Sequence, residues 1–250
     1  MTYQVVGVVA ILVLLVASDL SIRMTKRRRL ERLASRVAEM RRLATQATRR
    51  RPVGPEDARL AAPHDLLEAV ERELSEQGLL VLGDLVEERP DGSPAGITRW
   101  FVDPGRTVCG WFGVARTRES GAINPIMMLF SEADSGEFFV TGRGASSRTL
   151  ARPPSVHRTF FGWSDGLARV LEQHRAHVAQ GASGGGAALR RVERIDEAVA
   201  LLGRMRESTA RWRASQPPAA LLEEDVRLVL QERSEDLGPH LVRLMRSRGY

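Results

Sequence analysis

Apolar and polar positions change rhythm along this chain, and each change predicts an element. Val5 to Ala17 (VVGVVAILVLLVA) carries no polar side chain. Widened to Tyr3–Ile22, the stretch gives about 30 Å of helix, enough to cross a hydrocarbon core. From Met24 to Ala47, Leu30, Leu33, Val37, Met40 and Ala44 recur three or four residues apart. That spacing predicts a helix with one apolar seam and arginines on its other faces. Arg51-Pro52-Val53-Gly54-Pro55 ends it and predicts a linker over 52–62.

A folded domain is expected over 63–180. His64–Gln77 sets Leu66, Leu67, Val70 and Leu74 on one helical face, with Gly78 closing the helix. Strands are expected at Leu79–Glu88, Ile97–Val102, Thr107–Ala115, Ala122–Phe130, Glu137–Thr141 and Ser155–Phe161. Turn signals such as Pro90-Asp91-Gly92 and Asp134-Ser135-Gly136 separate them. Short connections imply an antiparallel meander. A second helix, Ser164–Gln180, completes an α+β layer with helices on one sheet face. Gly181–Gly186 opens a flexible linker over 181–188, and 189–250 reads as a helical extension of three helices beginning with Leu189–Trp212.

Charge divides the chain further. The net charge is +6, but Arg23–Arg51 alone holds twelve basic and two acidic residues, a surplus of ten. The rest is therefore mildly acidic at −4, so no nucleic-acid-binding domain is expected. No Lys or Arg precedes the apolar run, whereas Arg23, Lys26, Arg27, Arg28 and Arg29 follow it at once. That asymmetry favours a single-pass anchor over residues 1–22, with the rest cytoplasmic at a bacterial inner membrane. A signal peptide cleaved after Ser18 is the competing reading, weakened by the same asymmetry. Arg32 and Arg36 extend the basic strip of 23–51, which is expected to meet anionic headgroups, or through its seam a second copy. All but one of the basic residues are arginine, which fits a GC-rich bacterial genome.

Candidate chemistry is sparse. His174 and His177 lie three apart on the predicted helix, but the zinc-protease pattern needs four and an intervening glutamate. Cys109 lies inside a strand, where an inert thiol is the expected state, and a single cysteine excludes an intramolecular disulfide. Gly142-Arg143-Gly144-Ala145-Ser146-Ser147-Arg148 is glycine-rich and basic, so Arg143 and Arg148 are the residues expected to meet any anionic ligand. The following Pro153-Pro154 departs from a P-loop. Trp111, Phe130 and Phe139 are the aromatic candidates for a lined pocket. No catalytic residue, metal site or cofactor is assigned. The expected function is a membrane-anchored interaction or scaffold domain with a protein partner or a homo-oligomer. A small-molecule-binding or sensory domain is the alternative, and an enzyme using His157 or His174 the third.

Overall fold

A computed structural model describes residues 24–25, 27–42, 49–60, 62–88, 92–116, 123–144, 150–182, 188–230 and 238–250. The predicted anchor, with Arg23, Lys26 and Arg148, lies outside the described residues. Among the described residues no helix is long and apolar enough to cross a membrane. The chain divides into two units: a larger one from Thr45–Ser147 and Arg152–Ser215, and a smaller one from Met1–Ala44, Arg148–Ala151 and Gln216–Tyr250.

The larger unit is α+β, built on a seven-stranded sheet whose spatial order follows the sequence. Its strands are β1 (Arg49–Pro52), β2 (Leu80–Glu88), β3 (Pro94–Val102), β4 (Cys109–Arg116), β5 (Ile123–Glu132), β6 (Phe138–Arg143) and β7 (Val156–Phe161). β1 to β6 pair antiparallel, as the short turns dictate. Two features depart from the sequence reading. Arg49–Pro52, expected to be helix end and linker, is an edge strand fastened by Arg50–Glu87 at 2.7 Å and Arg51–Glu88 at 3.1 Å. β7 pairs with β6 in parallel. The twelve residues between them give the chain the length to turn back, and Leu150 and Ala151 within that connection belong to the smaller unit.

Helices cover both sheet faces; the sequence places helices on one face and leaves open whether the C-terminal helices cover the other. On one side α2 (His64–Glu76) and α3 (Leu167–Ala182) pack Val70, Leu74, Leu167, Val170 and Leu171 against Phe101, Phe112, Met127 and Leu129. On the other, α4 (Ile195–Ser215) lays Ala198, Leu201, Leu202 and Met205 on Trp100, Val102, Phe130 and Val140. Each such large side chain contributes about 2 kcal/mol on burial. The adjacent pair Trp100 and Phe101 thus serves two cores, because successive strand residues face opposite ways.

α4 begins six residues later than the pattern predicts. Residues 188–192 are pinned to the end of the sheet by Asp134 N–H to Ala188 O, Arg190 N–H to Glu132 O and Val192 N–H to Arg106 O, at 2.8–2.9 Å. Glu197 then accepts from the N–H groups of Glu193 and Arg194 and caps the helix start. At its other end α3 runs through Gly181 to Ala182, past the predicted stop at Gln180. Any Cβ at Gly181 would meet the Phe139 ring.

The smaller unit joins α1 (residues 27–42) to α5 (Pro218–Leu230) and α6 (Gly238–Ser247). Ala34 and Val37 of α1 are buried with Leu222, Val226, Val229, Leu241 and Met245, and Leu150 closes the same core. Residues 189–250 are therefore shared between the two units.

Candidate functional site

The seam of α1 is spent within the chain. Leu30, Leu33 and Met40 pack, partly buried, beside Ala34 and Val37 against α5 and α6, so the seam is covered from within the chain. Arg27, Arg28, Arg29, Arg32 and Arg36 remain exposed on the opposite side. The folded core thus holds five arginines as a fixed cationic surface. Arg27 meets Glu31 at 3.2 Å, an exposed pair of little energetic weight.

The second feature is an open stretch of sheet edge. β1 pairs only with Leu85–Glu88 of β2, so Leu80–Asp84 has no strand on its outer side among the described residues. Leu80 is 46% and Val81 52% exposed, among the largest apolar exposures in the larger unit. A cleft of about 480 Å³ adjoins them, lined by Leu74, Ser75, Leu79 and Arg99 among others. At Gly83 the register with β3 slips by one residue and φ is 140°, a bulge that only glycine adopts without strain. The sequence reading missed this edge because it rests on where β1 stops, and β1 was read as the end of the basic helix and the start of the linker.

The residues chosen from sequence are not brought together. Arg143 is buried: its guanidinium pairs with Glu73 of α2, with Nη2 3.1 Å from Oε1. Its Nε donates to the Trp163 carbonyl at 3.1 Å, and the group lies 4.3 Å from the Trp163 ring centroid. Gly144 has φ 73° and donates its N–H to Phe161 O at 3.0 Å. Gly144 thus serves the exit from β6, and Arg143 is committed to packing. Trp111 and Phe130 lie on the α4 face, whereas Phe139 lies on the α3 face, so the three line no common pocket. Phe139 instead stacks on His157 at 5.0 Å and meets His177 edge-on at 5.6 Å.

The remaining candidates are accounted for locally. His174 is fully buried between Ser131 and Thr141. Ser131 donates its single hydroxyl proton to Thr107 O at 2.8 Å, so its oxygen accepts from His174 Nε2–H at 3.0 Å. Nδ1 is then the acceptor for Thr141 Oγ1–H at 2.8 Å. Burial, then the charges of His177 and Arg175, hold this imidazole down at about 3. Burial likewise pushes the Cys109 thiol up to about 12, which removes its nucleophilic form at neutral pH. His177 accepts or donates at Nδ1 with Thr159 at 3.3 Å, and its pKa is lowered by burial, His157 and Arg152. Among the described residues no group of three or more metal-ligating side chains is gathered.

Sequence reasoning also passed over Arg158 on β7, whose Nε, like Trp111 Nε1, is buried without a hydrogen-bond partner. An arginine in an otherwise alternating strand gives no signal of this. Compared with family models, characterised proteins and solved structures, the chain has no match.

Proposed function

We propose that this chain is a membrane-tethered interaction module of a bacterial inner membrane. Residues 3–22 cross the bilayer and the remainder lies in the cytoplasm. The arginines of α1 rest on anionic headgroups, each worth about 1 kcal/mol near such a surface. The open edge of β2 takes an extended segment of a protein partner.

The observation that carries the reading is the unpaired run Leu80–Asp84 with Leu80 and Val81 exposed beside the cleft. Free main-chain donors and acceptors on a strand edge are a template for strand addition, and exposed apolar side chains supply its specificity. The run is only five residues long and the bulge at Gly83 twists it, which suits a short segment better than a second flat sheet.

Native mass spectrometry of the full-length protein, gently extracted from its membrane, tests this. The expected result is a co-retained protein mass that Val81→Lys removes while the fold stays intact. A homo-oligomer abolished by the same substitution would make a second copy the occupant of the edge. A monomer without protein adduct, unchanged by the substitution, would refute the reading.

A further inference from the structure

Where the outer edge of β2 is already occupied, arginines occupy it. β1 reads Arg-Arg-Arg-Pro and lies against that edge through Arg50–Glu87 at 2.7 Å and Arg51–Glu88 at 3.1 Å. It ends at Pro52, opposite Leu85. From there the edge runs on, open, through Asp84 to Leu80. Over its nine residues β2 holds three carboxylates, Asp84, Glu87 and Glu88, and no cation.

The open part is acidic as well. Asp84 accepts from Arg99 Nε and Nη2, both at 2.9 Å, and Arg99 Nη1 donates to Glu71 of α2. Two carboxylates thus share one guanidinium, and Glu71 keeps 51% of its side chain exposed. α2 itself carries five carboxylates against a single arginine, Arg72, and of the five Glu73 is paired with Arg143. Burial raises the Asp84 carboxyl, so a second cation beside it is favoured. Glu71 and Arg99 also line the cleft of about 480 Å³ together with Leu74, Ser75, Leu79 and Val81. Charge and apolar surface therefore adjoin in one recess.

The bulge sets the spacing. Asp84 stands opposite Arg99 and Val81 opposite Phe101, so three steps along β2 match two along β3. Both Asp84 and Val81 reach the α2 side, the first through Arg99 and Glu71 and the second as a wall of the cleft. Residues of an added strand that share that side are two apart. A segment in line with β1 runs antiparallel to β2, the stronger of the two pairing modes, and meets Asp84 before Val81.

We infer that the open edge of β2 takes an extended segment of a partner protein with Lys or Arg beside Asp84 and, two residues later, an apolar side chain beside Val81. The inference rests on the strand addition proposed above and gives the chemistry of the added strand. The cation joins Asp84 and Glu71 as Arg50 and Arg51 of β1 join Glu87 and Glu88, and the apolar side chain enters the cleft. A second copy of this chain fits less well, because edge-to-edge pairing would set acidic residues against each other.

The probe is a synthetic library of short peptides, threonine-flanked with randomised central positions. It is incubated with the full-length protein in an uncharged detergent, and the retained peptides are sequenced by mass spectrometry. Two positions before an apolar residue, Lys or Arg should be enriched over Glu by about tenfold. Glu71→Gln, a change at an exposed side chain, should cut that preference by roughly threefold and leave the apolar preference intact. Val81→Lys should abolish retention, and melting curves establish that both variants are folded. Retention that Val81→Lys abolishes, but without the basic preference or with one indifferent to Glu71→Gln, overturns this inference and leaves the strand edge standing. No retention, or retention indifferent to Val81→Lys, overturns both. The native selection decides without the variants: retained peptides with no basic residue at that spacing refute the assignment.

Discussion

The carboxylate of Asp225 accepts a hydrogen bond, at 2.8 Å, from the backbone N–H of Ala151, 74 residues earlier in the chain. Asp225 is fully buried in α5, and its other oxygen lies 3.7 Å from Arg41 Nε on α1. One side chain therefore ties the three stretches of the smaller unit. Asp225→Ala is expected to destabilise that unit by about 3 kcal/mol, because it strands a buried N–H and breaks an ion pair. Asp225→Asn keeps an acceptor for Ala151 and should recover part of the loss. Chemical denaturation of the two variants checks this; equal midpoints for Asp225→Ala and the native chain would refute it.

His174 makes stability depend on pH. Its folded value of about 3 lies below the ordinary 6.5, so the unfolded chain binds the proton more readily. The stabilisation is complete above pH 6.5 and falls as pH drops toward 3, by about 1.4 kcal/mol per unit. Subtracting the pH profile of His174→Gln from that of the native protein should isolate this slope. A difference that stays flat between pH 4 and 6, a span of roughly two units on that scale, would exclude it.

Arg143 is expected to matter for folding and to be indifferent to anions. Removing it leaves Glu73 and the Trp163 carbonyl without their partner. Arg143→Ala should lower stability by about 3 kcal/mol, and phosphate should not raise the melting temperature of the native chain. Phosphate protection that vanishes in the variant would restore the anion-loop reading.

Cys109 should resist alkylation in the native protein and react on unfolding, since it is buried and its thiol is pushed up to about 12. Mass spectrometry after brief iodoacetamide treatment reads this directly, and prompt labelling of the folded chain would contradict it.

Without residues 1–22, part of the protein should still sediment with anionic vesicles, and high salt should release it. Replacing Arg27, Arg28, Arg29, Arg32 and Arg36 by glutamine should abolish that fraction. Retention at high salt would point to an apolar contact that α1, with its seam buried, does not supply.

Much of this fold was legible from the sequence. Six strands lie within a few residues of their expected positions, because the turns at Gly92, Gly105 and Gly136 and the alternating aromatics are local signals. β1 was not legible: four residues reading Arg-Arg-Arg-Pro carry no apolar alternation, and their pairing rests on Glu87 and Glu88, 37 residues away. The parallel entry of β7 was hidden for a similar reason, since connection length tells nothing of Leu150 and Ala151 joining another core. The seam of α1 was visible, but a periodic pattern shows that a face is buried and never by what. The candidate site was hardly legible at all. Arg143 stood out by its glycine neighbours and proves structural, whereas the partnerless donors of Trp111 and Arg158 exist only once the strands are in register.

The smaller unit takes its first helix from near the start of the chain and its last from the end. During synthesis α1 emerges first, and the α6 residues that bury Val37 are made just over two hundred residues later. At ordinary elongation rates that interval is roughly 10–40 s. Through it the apolar side of α1 has no α6 to cover it. A chain stopped short of Gly238 never gains that cover. The arrival of α6 thus closes this core, and a product truncated before it carries the bare helix face that proteases and chaperones recognise.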